Sequence, residues 1–311
     1  MARCQTEHPR VDRRCALKLT VGTAVGASFL GQIPSARAQT TADVAALNFM
    51  LNIEYLLAQF TSVVVGETVN PARITGGGIA GVPPIPGRKV TFTDTLLQTI
   101  VREMAADNRA HLVPMRVVTG ASAIHQPLID LSATATAPFT VAMRRAGVVG
   151  AEATFDPYAS EENLLYALFY LKSVSVAAYR GLAAGITNQV VLQNFAGLLG
   201  TESIHAATIR SYLHTRGATA ARLRTNADAI AAFQRSLNGG TVFQGISPSD
   251  LAVAGGTVRV ANGAPVQLTG DVGGRSAAQI LNQLYLTDAA VTSGGFFPNG
   301  VNGAIRASAA A

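Results

Sequence analysis

The stretch Phe195–Tyr212, FAGLLGTESIHAATIRSY, decides the fold of this chain. Its apolar residues recur at helical spacing, and Glu202 and His205 occupy the same stripe as those apolar residues. Burial of a carboxylate is costly unless its charge is paired or bound to a cation. Glu-x-x-His is the spacing with which one helix offers two ligands to a metal ion, and a hydrogen-bonded Glu-His pair in the core is the alternative.

Three further helices are predicted upstream, over about residues 41–65, 93–119 and 160–184. A long connection over residues 120–159 separates the second helix from the third, whereas a tight turn at 185–188 joins the third to the fourth. This connectivity is typical of ferritin-like proteins. The sequence therefore predicts an all-α fold, a ferritin-like four-helix bundle with a long crossover between helices 2 and 3.

The inward stripes of the four helices carry polar residues near their middles. These residues are Glu54, Asn108, His111, Lys172, Glu202 and His205. In di-metal carboxylate bundles, two helices each supply one Glu and the other two each supply Glu-x-x-His. Four of the six positions match that pattern, and Asn108 and Lys172 stand where a Glu belongs.

We therefore predict that the bundle holds at most one Fe, Mn or Zn ion. The predicted ligands are Glu54, His111, Glu202 and His205, and the predicted modifiers of the site are Asn108 and Lys172. Two metal ions would be undercompensated by two carboxylates beside a lysine. The Lys172 ammonium either reaches the carboxylates of Glu54 and Glu202, in the place of a second ion, or extends outward along its long stem. We favour the first arrangement.

Residues 1–38 are predicted to be an export signal. The pair Arg13-Arg14 precedes a mainly apolar run, and residues 36–38, Ala-Arg-Ala, have the form of a cleavage site. The arginine pair predicts the twin-arginine route, although Asp12 stands where Ser or Thr is more usual, so the general secretory route stays open. The apolar run is shorter than the roughly 20 residues that a membrane span needs. The predicted localisation is periplasmic or secreted.

Removal of this signal changes the bulk properties of the chain. It takes away six Lys or Arg and two Asp or Glu, so the formal net charge falls from +6 to +2. Because the mature chain has no cluster of basic residues and no Trp, we expect no nucleic-acid partner. Both cysteines, Cys4 and Cys15, lie in the signal, so the mature protein has no disulfide. Its low charge suits a homo-oligomer, and no integral membrane segment is expected.

Serine-type hydrolysis is disfavoured. Outside the bundle site, the mature chain has only His125 and His214 as imidazole bases. His214 suits a helix end as a cation, and no nucleophile-elbow pattern accompanies either histidine.

Several motifs resemble the desiccation-related proteins first described in resurrection plants, which belong to the ferritin-like superfamily. These motifs are NIEYL at 52–56, GVPPIPGRK at 81–89, QPLIDLS at 126–132, FDPYA at 155–159, GLLGTE at 197–202 and GGFFPNG at 294–300. The resemblance covers nearly the whole mature chain. It implies a secreted or stress-associated protein with a degenerate di-metal site, so ferritin metal chemistry cannot be carried over from the fold alone.

The predicted bundle occupies residues 39–216, and a C-terminal extension occupies residues 217–311. The extension is expected to contain helices at about 218–237 and 276–290, and a small hairpin around an Asn-Gly at 262–263. Phe296 and Phe297 are expected to pack the tail on the bundle.

Two functions stay open at this point. The first is a metalloprotein, either metal-sequestering or redox-active, which as an enzyme would be a metal-dependent oxidoreductase. The second is a metal-free protective or structural bundle with a buried Lys-Glu-His network.

Overall fold

The computed structural model describes residues 39–237, 244–246 and 273–310. Within these residues the regular structure consists of seven α-helices and two short 3-10 turns, Pro71–Arg73 and Gly120–Ser122. The helices are α1 Thr41–Val65, α2 Thr95–Thr119, α3 Pro138–Arg145, α4 Glu161–Ala183, α5 Gln189–Arg216, α6 Arg222–Ser236 and α7 Ala277–Tyr285. The predicted export signal and the predicted hairpin lie outside the described residues.

Four helices, α1, α2, α4 and α5, form the bundle. α1 packs chiefly on α2, and α4 packs chiefly on α5. A short turn connects α4 to α5, while the crossover from α2 to α4 is long and contains α3. The predicted all-α bundle with a long crossover between its second and third helices is therefore confirmed.

A shared carboxylate fixes where α1 begins and ties it to the turn before α5. Thr40 and Asp43 form a capping box, in which the Asp43 N–H donates to Thr40 Oγ1 at 3.1 Å and the Thr40 N–H donates to Asp43 Oδ2 at 3.1 Å. The helix cap is thus Thr40, directly before the predicted start of the helix at residue 41. Asp43 also accepts the backbone N–H of Thr187 at 2.8 Å. The same side chain therefore sets the register between α1 and the α4–α5 turn.

The C-terminal extension covers the outer side of α4. The Tyr170 hydroxyl donates to the Gln283 carbonyl at 2.7 Å, and the Phe296 ring meets the Phe139 ring edge to face at 4.9 Å between centroids. Phe296 and Phe297 are fully buried. As a result, every residue of α4 from 164 to 179 is buried.

Two helices of the extension are shorter than predicted. α6 begins at Arg222, and α7 ends at Tyr285 because Leu286 adopts a left-handed backbone conformation with φ 59°. Among the described residues, no helix combines the length and the apolar character needed to cross a bilayer.

Candidate metal centre

Three helices bring Glu54, His111 and Glu202 together inside the bundle, and we call these residues the Glu-His-Glu triad. All three are buried, and their ligand atoms lie within 4.8 Å of one another. His111 Nδ1 is 3.2 Å from Glu54 Oε2 and 3.7 Å from Glu202 Oε1. The structure thus joins three of the four predicted metal ligands in one group.

Lys172 binds one of the two carboxylates predicted for it. Its Nζ lies 2.8 Å from Oε1 and 2.9 Å from Oε2 of Glu202, and 3.0 Å from Oδ1 of Asn108. The predicted pairing of Lys172 with Glu54 is wrong, because Glu54 accepts its hydrogen bonds from His111 and Tyr179. The side chain is wholly buried, so the alternative in which Lys172 extends to solvent is wrong.

His205 lies outside the triad and contacts Lys172. Its Nδ1 lies 3.2 Å from Lys172 Nζ, and its Nε2 lies 3.1 Å from Oδ2 of Asp107. The same Nδ1 lies 3.5 Å from Oε1 of Glu202. Because an ammonium group can only donate, Nδ1 accepts from Lys172 in the tautomer that carries its proton on Nε2 and donates that proton to Asp107. Both ring nitrogens of His205 are therefore engaged, and a metal ion would have to displace Lys172 to reach Nδ1.

Asn108 connects the lysine to α1. Its Oδ1 accepts from Lys172, while its Nδ2 donates to Oγ1 of Thr61 at 3.1 Å. Thr61 in turn donates to the carbonyl of Leu57 at 2.7 Å. An amide can accept and donate at once, which a carboxylate could not do at this position. Asn108, in the position where a Glu was expected, therefore accepts from the Lys172 ammonium and also donates to α1.

Tyr179 completes the surroundings of Glu54. Its hydroxyl donates to Glu54 Oε1 at 2.6 Å, on the oxygen that His111 does not contact. Burial together with the charge of Glu54 holds the pKa of Tyr179 well above 10.0, so the phenol keeps its proton.

The pKa values of two triad members are shifted in opposite senses. Burial by itself raises the pKa of Glu202, but the Lys172 ammonium outweighs burial and holds that pKa well below its usual range. Burial by itself lowers the pKa of His111, but the hydrogen bond and charge of Glu54 outweigh it and raise that pKa above 6.5. In the metal-free protein, Glu202 is therefore ionised, and His111 binds a proton more tightly than a free imidazole does.

The fold and this site define the class of protein. The chain belongs to the ferritin-like domain family, whose family model matches residues 42–215. It is 28% identical over 277 residues to ferritin-like catalase Nec2 of Nesocodon mauritianus, an alignment that covers 85% of each chain. It is 29% identical over 178 residues to desiccation-related protein PCC13-62 of Craterostigma plantagineum, which covers 56% of this chain and 54% of that protein. The resemblance to desiccation-related proteins is thus confirmed. No solved structure shows a significant match.

Sequence reasoning missed Asp107, Thr61 and Tyr179 as members of the network. Tyr179 lies seven residues after Lys172 and Thr61 seven residues after Glu54, so helical periodicity already puts each on an inward stripe. No sequence pattern predicts a role for Asp107, because its side chain is partly exposed and its contact with His205 joins two different helices, α2 and α5.

Proposed function

We propose that this protein is an exported, stress-protective member of the ferritin-like family that holds a single divalent metal ion on the Glu-His-Glu triad. The observation that carries the proposal is the convergence of one imidazole and two carboxylates, from three helices, on one buried point. The relative that is named a desiccation-related protein supports the protective role.

The spacing of the triad suits one ion. Two ligand atoms bound at about 2.1 Å to one ion at a tetrahedral angle lie about 3.4 Å apart. The distances from His111 Nδ1 to the nearer oxygens of Glu54 and Glu202 are 3.2 and 3.7 Å, on either side of that value. The Nδ1 proton of His111 would leave when the ion binds, because a metal-ligating imidazole must be neutral on the ligating nitrogen.

The surroundings of Glu202 do not suit a second ion. Its two oxygens lie 2.8 and 2.9 Å from the Lys172 ammonium, which supplies positive charge there without a metal. His205, which Asp107 holds, contacts the same ammonium at 3.2 Å and lies on the Glu202 side of it, 3.5 Å from Glu202 Oε1. A two-metal centre of the ferritin kind would have to expel a lysine that has three kinds of partner.

A bound Fe or Mn ion would supply one-electron redox chemistry, and a bound Zn ion would supply Lewis acidity alone. The chain's own residues keep the site dry, orient the two carboxylates and fix the proton on Tyr179. Sequestering a redox-active ion in such a site would limit its reaction with peroxide in the exported compartment.

Metal analysis of the folded, exported protein tests this proposal. After dialysis against Fe²⁺, Mn²⁺ or Zn²⁺, we expect about one equivalent in the parent and a loss of binding in His111→Gln. His214→Gln is the matched control, since it removes an imidazole of α5 that lies outside the triad, and it should bind as the parent does. If the parent holds no metal, the alternative of a metal-free protective bundle with a buried Lys-Glu-His network replaces the proposal. Two equivalents would refute the single-ion reading.

A second candidate function is peroxide breakdown, because the relative named a ferritin-like catalase aligns over 85% of each chain. Conversion of two peroxide molecules to dioxygen and water moves two electrons in each half of the cycle, which two ions share more readily than one. The lysine beside Glu202 therefore favours the first candidate. Oxygen release from peroxide, measured on parent protein loaded with Fe or Mn and on the metal-free protein, separates the two functions.

Export is part of the proposal and has its own test. We expect the mature protein to start near Gln39, because residues 36–38 have the form of a cleavage site. N-terminal sequencing of periplasmic protein that found Met1 would contradict this. Replacement of Arg13 and Arg14 by lysine should retain the precursor in the cytoplasm, and unchanged export would indicate the general secretory route. Homo-oligomer formation remains a prediction for sedimentation analysis.

A further inference from the structure

We infer that Tyr179 is a positioning residue that keeps Glu54 to one metal-ligating oxygen and thereby sets which divalent ion the triad prefers. The inference rests on the proposed single-ion function and adds a determinant of metal choice to it.

The two oxygens of Glu54 have different neighbours. Oε1 accepts from the Tyr179 hydroxyl at 2.6 Å, and Oε2 faces His111 Nδ1 at 3.2 Å. An ion on the triad would meet Oε2, because that oxygen lies on the imidazole side. To bind the same ion with Oε1 as well, the carboxylate would have to give up a short hydrogen bond to a buried phenol.

Packing prevents Tyr179 from moving away. The side chain is fully buried, its ring meets the Phe195 ring edge to face at 5.3 Å, and its hydroxyl also lies 3.7 Å from the sulfur of Met115. A thioether is a weak acceptor, so Glu54 Oε1 is the strong acceptor within reach of the hydroxyl. The phenol therefore acts as a fixed clamp on one oxygen.

The clamp has a consequence for metal choice. With Glu54 held to one oxygen, the triad would offer an ion one oxygen of Glu54, one nitrogen of His111 and one oxygen of Glu202, a small ligand set of the kind found in four-coordinate zinc sites. Mn²⁺ prefers six-coordinate, oxygen-rich surroundings. Loss of the Tyr179 hydroxyl would free Oε1 as an additional oxygen ligand, which shifts preference from Zn²⁺ toward Mn²⁺.

The test compares Tyr179→Phe with the parent in the full mature chain. Tyr170→Phe is the matched control, because Tyr170 is also a fully buried tyrosine of α4 and donates at 2.7 Å, but to the Gln283 carbonyl in the extension. Visible spectra of Co²⁺-loaded protein report coordination number, since the d–d bands weaken from four to five ligands. Competition between Mn²⁺ and Zn²⁺ reports preference.

We expect weaker d–d bands in Tyr179→Phe and a rise of about 10–100-fold in its Mn²⁺ to Zn²⁺ affinity ratio, the usual size of an outer-shell effect. Tyr170→Phe should match the parent in both measurements. Identical spectra and ratios in Tyr179→Phe and the parent would overturn the inference and leave the single-ion function standing. Absence of Co²⁺ binding in the parent would overturn both.

A measurement on the parent alone covers the case in which Tyr179→Phe does not fold. X-ray absorption of the zinc-loaded parent distinguishes a one-oxygen carboxylate from a two-oxygen one by the short metal-to-carbon distance of the latter. We expect that short distance to be missing. Its presence, with both oxygens of Glu54 on the ion, would overturn the inference.

Discussion

Replacement of Lys172 by methionine is the sharpest perturbation of this network. Methionine keeps an unbranched side chain of similar reach, so the change removes a charge and its hydrogen bonds with little change of volume. The lost bonds are those to Asn108 Oδ1 at 3.0 Å, to Glu202 at 2.8 and 2.9 Å, and to His205 Nδ1 at 3.2 Å. The Glu202 carboxylate, which has no exposed surface, is then left without its ammonium.

The expected loss of stability is large. Removal of one partner from a buried ion pair costs about 3–5 kcal/mol, because the remaining charge is uncompensated. At about 2–4 °C per kcal/mol for a chain of this size class, the melting temperature of the metal-free protein should fall by about 6–20 °C. The fall should be smaller in acid, where Glu202 can take up a proton and lose its charge.

Thermal unfolding in the presence of a chelator, followed by far-UV circular dichroism, measures this effect. Lys89→Met is the matched control, because Lys89 and Lys172 are the two lysines of the chain after residue 38 and Lys89 is exposed. Lys89→Met should melt as the parent does, since exposed charges contribute little.

Restoration of carboxylates should act through metal and not through stability. Lys172→Glu combined with Asn108→Glu recreates the pattern of four carboxylates and should raise metal stoichiometry toward two. If Lys172→Met melted within a degree or so of the parent and the double variant bound no additional metal, the reasoning about the lysine would be refuted.

Two further outcomes follow from the shifted pKa values and the packing of the tail. The metal-free protein should be most stable between pH 4.5 and 6.5, which are the ordinary pKa values of a glutamate and a histidine side chain. Glu202 has a lowered pKa, so its contribution to stability is complete above pH 4.5 and is lost as the pH falls. His111 has a raised pKa, so its contribution is complete below pH 6.5 and is lost as the pH rises. A melting temperature that climbed steadily above pH 6.5 would contradict this. Gly181→Ala should loosen the C-terminal extension, because the added β-carbon would overlap the Arg275 carbonyl oxygen, and limited proteolysis should then cut the tail faster. Gly200→Ala is its control, since its β-carbon meets nothing within 4 Å, and it should stabilise α5 by about 0.5–1 kcal/mol.

The elements that the sequence predicts well are those encoded by local patterns. α1 was expected over 41–65 and is Thr41–Val65, because a capping residue and a glycine bound one continuous helical stripe. α7 was expected to extend to about residue 290 and ends at Tyr285, because its C-terminal bounds depend on a left-handed residue for which the sequence carries no glycine signal. The local sequence pattern predicts that a helix forms, whereas the residue at which the helix ends depends on neighbouring segments.

The same division holds within the site. Periodicity alone places Glu54, His111 and Glu202 on inward stripes of successive helices, since residues three or four apart share a helix face. Periodicity does not decide whether Lys172, which is long and flexible, pairs with Glu54 or with Glu202.

Only the tertiary structure makes that choice. Lys172 turns to Glu202 because His205, held by Asp107, offers an acceptor on that side, and Glu54 is satisfied by Tyr179 and His111. The sequence by itself therefore determined the bundle and which residues face its interior, through one-dimensional periodicity. The pairing of those residues was decided by distances between helices, because hydrogen bonds require about 3 Å contacts that no spacing along the chain encodes.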